Sequence, residues 1–334
     1  MGASNVIDEI AADLAKNAQK LHNVPSDVGN FVVMSANRTI VEAQQRPDKR
    51  PLYKSLWVEG EVCCLFADSN VGKSIYAVQI AAEIAKTDRV LYFDFELSDK
   101  QFQKRYTDEK GNRNVFPDNL LRVTENPDKI DTTRGDYQSM LINNIEAAAV
   151  QTNTKILIID NLTYLCCESE KSNEAAKLMM KLRELKTKHD LSILVLAHTP
   201  KRDTTRPIKQ NDLAGSKMLF NLLDSVFAIG VSGKDNSLRY IKQIKVRDGE
   251  FTLDADNVEV CTIEKQNAFL QFVHQGYSTE REHLKEQTDK EFDALVAKIR
   301  ELQEQGKTQS EIANAMGCSQ SRICKILKKV NNNI

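Results

Sequence analysis

The chain contains no apolar run approaching the length of a membrane span and no basic-then-apolar segment at its N-terminus. Neither a spanning helix nor a secretory leader is therefore expected. None of its seven cysteines forms a C-x-x-C pair, which excludes the common zinc and redox spacings. The adjacent pairs Cys63-Cys64 and Cys166-Cys167 would point to opposite faces of a strand, which suits packing and a reducing, cytoplasmic setting. There is no excess charge of either sign: the net charge is −1, so any nucleic-acid surface must be a local patch. Internal repeats and low-complexity tracts are also missing. What remains is 334 residues with 41% hydrophobic and 28% charged side chains, the balance of one large globular α/β domain with appendages.

The most informative stretch is Ala67-Asp68-Ser69-Asn70-Val71-Gly72-Lys73-Ser74. It follows the apolar run Val62–Phe66 and precedes a helical pattern that opens at Ile75. Strand, loop and helix in that order form a phosphate-binding P-loop, whose backbone N–H groups cradle a triphosphate at a helix N-terminus. Lys73 would reach the β- and γ-phosphates of ATP, and the Ser74 hydroxyl would ligate Mg²⁺. The first glycine of G-x-x-x-x-G-K-[ST] is replaced by Ala67. A Cβ is tolerable there provided φ stays negative.

The segmentation predicts four regions: an N-terminal helix and linker arm (1–56), an ATPase core (57–276), a charged helical connector (277–290) and a small all-α unit (291–334). The arm opens on the helical pattern Val6–Ala15. Core strands are expected at Val62–Phe66, Val90–Phe95, Ile156–Asp160, Ile193–Ala197, Val226–Ile229, Tyr240–Val246, Val258–Ile263 and Phe269–Val273. Helical stretches such as Ala175–Lys188 separate the earlier strands, giving βαβ units and a parallel sheet. Short turns around Gly233–Asn236 and Asp248-Gly249 imply that the sheet ends in antiparallel hairpins.

Two acidic positions complete the candidate site. Asp160 ends an apolar strand expected beside the P-loop strand, where a carboxylate holds the metal's water shell. Asp94 and Glu96 close the second strand, and Glu96, lying further past its end, is the better placed to orient a water and take its proton.

Here the chain resembles a family. Glu96-Leu97-Ser98-Asp99-Lys100-Gln101-Phe102-Gln103-Lys104-Arg105 is similar to a segment of RecA-like hexameric motors, which include DnaB-type replicative helicases and RepA-type plasmid helicases. The resemblance implies that Glu96 activates the water and that Arg105 lies near the nucleotide. It also implies that His198, in Ala197-His198-Thr199-Pro200-Lys201-Arg202, is a γ-phosphate sensor. Leu213–Lys217 looks like the Gly-Ser element of RepA-like ATPases. Tyr240–Gly249 looks like the Lys-x-Arg-x-Gly motif, which makes Lys245 and Arg247 the residues that project into a neighbouring subunit's site. An arginine supplied in trans raises phosphoryl-transfer rates by roughly 10³–10⁵. The implied fold is a RecA-like P-loop NTPase core, α/β with a mostly parallel sheet, and the implied assembly is a homo-oligomer, a hexameric ring.

Two basic features point to DNA. The loop from His198 to Lys217 carries Lys201, Arg202, Arg206, Lys209 and Lys217 and would grip single strands, although it has no aromatic residue for stacking. At the C-terminus, Leu295, Val296, Ile299 and Leu302 mark one helix stripe, Thr308–Glu311 is a capping box, and Ser319 caps a last helix. This resembles the helix-turn-helix units of resolvases and sigma-like regulators. Gln320, Ser321, Arg322 and Lys325 would face the major groove of a duplex, and Lys307, Lys328 and Lys329 would contact phosphates. The expectation is an ATP- and Mg²⁺-dependent DNA motor of the RepA type. The alternative is a non-translocating regulator that uses nucleotide state to control assembly on DNA.

Overall fold

The computed structural model describes residues 27–126, 128, 137–162, 172–199, 203–213, 217–285 and 289–331. The expected helix at Val6–Ala15, the pair Cys166-Cys167, and Lys201 and Arg202 lie outside them. The chain divides into two compact units, Met1–Arg50 and Pro51–Ile334. In the first, a hairpin of β1 (Asp27–Val28) and β2 (Phe31–Val32) precedes α1 (Ala36–Gln44). Ser35 caps α1 by accepting from the Arg38 N–H, and no α1 residue is buried.

The second unit starts earlier than Trp57. A hairpin of β3 (Pro51–Tyr53) and β4 (Trp57–Val58) buries Leu52, Tyr53, Leu56 and Trp57 in the core, so these residues belong to the second unit and not to the arm. The chain continues through β5 (Val62–Ala67), α2 (Lys73–Ile84), β6 (Val90–Asp94), α3 (Asp99–Arg105), β7 (Leu120–Val123), α4 (Tyr137–Gln151) and β8 (Ile156–Asp160). Then come α5 (Ser172–His189), β9 (Ser192–His198), α6 (Lys217–Leu222), β10 (Ser225–Val231), β11 (Leu238–Lys245), β12 (Val258–Gln266) and β13 (Phe269–Ser278).

These strands form one sheet in the order β13-β12-β11-β10-β5-β9-β8-β6-β7. The pairings from β10 through β5 to β7 are parallel, and β10 to β13 are antiparallel hairpins, as the turn residues predict. The parallel strands read as unbroken apolar runs because both faces are covered. Val62, Cys64 and Phe66 pack into one layer, while Cys63 and Leu65 pack into the other, the opposite-face arrangement expected of the cysteine pair. One placement is corrected: β8, which carries Asp160, is not beside the P-loop strand. β9 lies between them; β8 and β9 are both buried apolar runs, so the pattern along the chain does not give their order.

Among the described residues, the first part of the expected connector is shorter than an α-helix. It is a 3-10 turn, Glu280–His283, packed into the core unit. The Glu280 carboxylate accepts from the Ile208 N–H at 2.7 Å and from Lys242 Nζ at 2.5 Å, and His283 stacks on Tyr240. A buried charge needs such pairing to be tolerated. Beyond it, α7 (Asp289–Glu304), α8 (Gln309–Ala315) and α9 (Gln320–Asn331) close around their own core of Ile299, Leu302, Ile312, Ala313, Ile323 and Ile326. The capping box of Thr308 and Glu311 is formed.

Candidate functional site

The P-loop is built at the C-terminal end of β5. Gly72 sits at φ 110°, a region that disfavours a Cβ, and a Cβ there would stand 2.8 Å from Ile263 Cδ1. Ala67, at the first-glycine position, ends β5 as ordinary strand and is not among the positive-φ residues. Its methyl is buried, so the loop does not need a glycine there. Arg239 of β11 donates from Nε to the Val71 carbonyl at 3.0 Å, bracing the loop from the antiparallel side. No side chain caps the N-terminus of α2, which leaves its first N–H groups free for an anion.

Lys73 is buried and donates to the carbonyls of Ala67 at 3.0 Å and Asp68 at 3.1 Å. Its Nζ also stands 3.1 Å from His198 Nδ1. Burial pulls its pKa below the ordinary lysine value, against the opposing charges of Glu96, Asp160 and Asp68. An ammonium can only donate, so Nδ1 of His198 is the acceptor and the ring proton belongs on Nε2. That nitrogen lies 3.4 Å from Glu96 Oε1. Asn161 completes the group: its Nδ2 bonds Glu96 Oε1 and lies 3.1 Å from His198 Nε2. The hydrogen bond from His198 lowers the Glu96 pKa in spite of burial, helped by the charges of Lys73 and Arg105. Glu96 is therefore a carboxylate at neutral pH.

Asp160 is fully buried. Its Oδ2 accepts from the Tyr92 hydroxyl at 2.7 Å, and its Oδ1 is buried without a hydrogen-bond partner. Burial raises its pKa to about 6, against the hydroxyls of Ser74 and Tyr92. A buried carboxylate oxygen left unpaired beside a hydroxyl on the P-loop helix is the donor set that suits Mg²⁺, which takes hard oxygen ligands. Ser74 and Asp160 would hold it, and the ion would neutralise charge between the β- and γ-phosphates. Among the described residues no group of three or more His, Cys, Asp and Glu could hold a metal.

Asp94 is not available as a base. Its Oδ1 accepts from the N–H groups of Glu96 and Leu97, and its Oδ2 accepts from Arg122 Nε. Arg105 ends α3 with Nη1 buried and unpartnered, and its charge acts on Glu96. The structure thus brings together Lys73, Ser74, Glu96, Asp160, His198 and Arg105. It adds Asn161, Tyr92 and Arg239, which the sequence reading missed. Asn161 had a signal, since it directly follows Asp160, whereas Tyr92 and Arg239 depend on strand register alone.

Lys245 and Arg247 are elsewhere. Lys245 pairs with Val226, and Val226 with Cys64, whereas the P-loop leaves from Ala67, the partner of Ile229. They therefore lie toward the opposite end of the sheet from their own P-loop. Lys245 Nζ donates to the carbonyls of Phe220 and Leu223, and Arg247 pairs with Asp224 at 2.6 Å. Of the DNA candidates, Arg206 pairs with Asp203 at 3.0 Å and Lys209 is exposed. Gln320, Ser321, Lys325 and Lys328 are exposed on α9, but Arg322 is bonded to Asp203. Among the described residues no helix is long and apolar enough to cross a membrane.

A family model described as the AAA domain matches residues 32–204, just over half of the chain. No curated protein matches the sequence. Among solved structures, a KaiC-like protein from the hyperthermophilic archaeon Pyrococcus horikoshii OT3 aligns with a TM-score of 0.47 at 14% identity, over 68% of this chain and 100% of that one. A DnaB-like replicative helicase, described with its interactions with primase, aligns with a TM-score of 0.53 at 14% identity, over 81% of this chain and 74% of that one. The likeness to the helicase is one of fold, a RecA-like core. With its P-loop, buried Asp160 and family match, the chain belongs to the AAA domain family of P-loop ATPases.

Proposed function

We propose that this protein is an oligomeric, ATP-hydrolysing DNA motor of the RepA helicase type, acting in replication or mobilisation. The observation that carries the reading is the connected group Lys73–His198–Glu96–Asn161 above the Ser74–Asp160 pair. Lys73 swings from the loop carbonyls to the β- and γ-phosphates when ATP enters, which releases His198 to meet the γ-phosphate. Glu96, held as a carboxylate, orients the attacking water and accepts its proton. Arg247 serves the site of an adjacent subunit, since it lies far from its own P-loop, and in the free chain Asp224 keeps it paired.

Lys201, Arg202, Arg206 and Lys209 follow the sensor strand directly, so a change at His198 is relayed to a loop that grips the backbone of single-stranded DNA. The C-terminal helices form a helix-turn-helix that binds duplex through Gln320, Ser321, Arg322, Lys325 and Lys328. One observation favours the second reading, an ATP-controlled DNA-binding regulator: Asp203, in the loop after the sensor strand, already holds Arg322. The deciding test is the ATPase rate of size-fractionated oligomer with and without single-stranded DNA. Stimulation by single strands is expected. Hydrolysis that responds only to duplex would favour the regulator.

A further inference from the structure

We infer that Arg122 is a positioning residue for the attacking-water carboxylate: from β7 it holds the loop between β6 and α3 in the shape that presents Glu96. This rests on the ATPase reading above. The loop is short, and Glu96 is flanked on both sides by anchors that converge on one guanidinium. Nε donates to Asp94 Oδ2 at 2.8 Å, Nη2 to the Leu97 carbonyl at 2.6 Å, and Nη1 to Asp99 Oδ1 at 2.6 Å. The plane of the guanidinium lies over the Phe102 ring, 4.7 Å from its centroid. Residues 94, 97 and 99 thus bracket residue 96 with a single planar fork, a geometry that an ammonium cannot reproduce.

The other half of the loop is set by Asp94 itself. Its Oδ1 accepts the N–H groups of Glu96 and Leu97 at 3.3 and 2.9 Å, which turns the backbone so that the Glu96 side chain reaches Asn161 and His198. The Asp94 side chain is wholly buried, while Arg122 is about one-fifth exposed and Asp99 almost fully so. Arg122 is the group that neutralises Asp94 and extends the constraint outward to the first residue of α3. None of its hydrogen bonds goes to the P-loop or the sensor strand, so its effect on hydrolysis runs through Glu96. The parallel pairing of Tyr92 with Arg122 fixes the origin of the side chain, so the fork is built on rigid sheet.

The experiment compares wild type, Arg122→Ala, Arg122→Lys and the double variant Asp94→Asn/Arg122→Gln, the last of which removes both charges of the pair and so strands none. For each, kcat and KM for MgATP are measured together with the affinity for a fluorescent ATP analogue and the thermal midpoint. A carboxylate displaced by ~1 Å loses on the order of 10²-fold in rate. Arg122→Ala is therefore expected to lower kcat by about tenfold to a hundredfold with analogue affinity unchanged. Arg122→Lys should recover part of the loss and the double variant none. Unchanged kcat in Arg122→Lys and the double variant would overturn the inference. So would a kcat loss matched step for step by lost analogue binding, because that is the signature of a merely structural role. Absence of turnover in wild type would instead remove the ATPase reading, and the inference with it.

Discussion

Replacing Asp160 by Asn should make the nucleotide-free protein more stable while removing its use of Mg²⁺. Burial raises the Asp160 pKa from 3.8 to about 6, so in the folded chain the charged form is disfavoured. The sign follows from proton counting. Between pH 4 and 6 the unfolded chain has already lost this proton and the folded chain keeps it, so stability falls as pH rises through that window and levels off above it. A shift of about 2 units corresponds to roughly 3 kcal/mol. Asparagine carries no charge and can still accept from Tyr92, but its buried amide lacks a partner at the position of Oδ1, a penalty of about 1 kcal/mol. The variant should therefore gain about 2 kcal/mol over wild type at pH 8, and below pH 4, where the wild-type carboxyl is neutral too, the gain should give way to a loss of about 1 kcal/mol.

Denaturant melts of both proteins across this range test the argument. Added MgATP should stabilise wild type by ligand linkage and stabilise the variant much less. A variant that is less stable at pH 8, or a gain that does not depend on pH, would refute the claim that an unpaired buried carboxylate is being held for a metal.

Glu96→Gln should retain ATP binding while losing roughly 10²–10⁴ in turnover, read by single-turnover hydrolysis beside an analogue-binding titration; wild-type rates would displace Glu96 as the base. Mixing Arg247→Ala with Lys73→Ala subunits should recover part of the activity that each lacks alone, because a Lys73→Ala subunit can lend its arginine to an intact neighbouring P-loop; no recovery at any ratio would put Arg247 outside catalysis in trans. Deleting 286–334 should spare stimulation by single strands and abolish duplex preference, and the cut must follow Lys285 because Glu280 is bonded to Lys242 and Ile208. Loss of both responses together, with ATP binding intact, would favour the regulator.

What could be read along the chain was whatever is local. The P-loop, the helix after it and the capping box of α8 are contiguous segments whose chemistry is complete within about ten residues, and each appears where the sequence places it. The eight core strands were legible for the same reason, since apolar runs such as Ile156–Ile159 have no other use in a chain with no membrane-length segment. The short edge strand β7 had only Leu120, Leu121 and Val123 to announce it, and the β3–β4 hairpin lay in a stretch punctuated by proline. Neither offers enough period to stand out.

The site's second half was hidden by register. Arg122 matters because β7 pairs with β6 so that Tyr92 faces Arg122, and Arg239 matters because β11 returns antiparallel to β10 and brings its start to the P-loop. The same reversal carries Lys245 and Arg247 to the other end of the sheet. A motif match supplies their residue types but not their distance from the chain's own nucleotide. That distance follows from counting pairs: Ile241 is level with Ile229 and Ala67, and every residue after it on β11 moves further from the phosphate loop. A cation four or six positions beyond that point can reach a triphosphate only if the triphosphate belongs to another subunit. This is why the subunit-mixing experiment, rather than the single substitution, decides what Arg247 does.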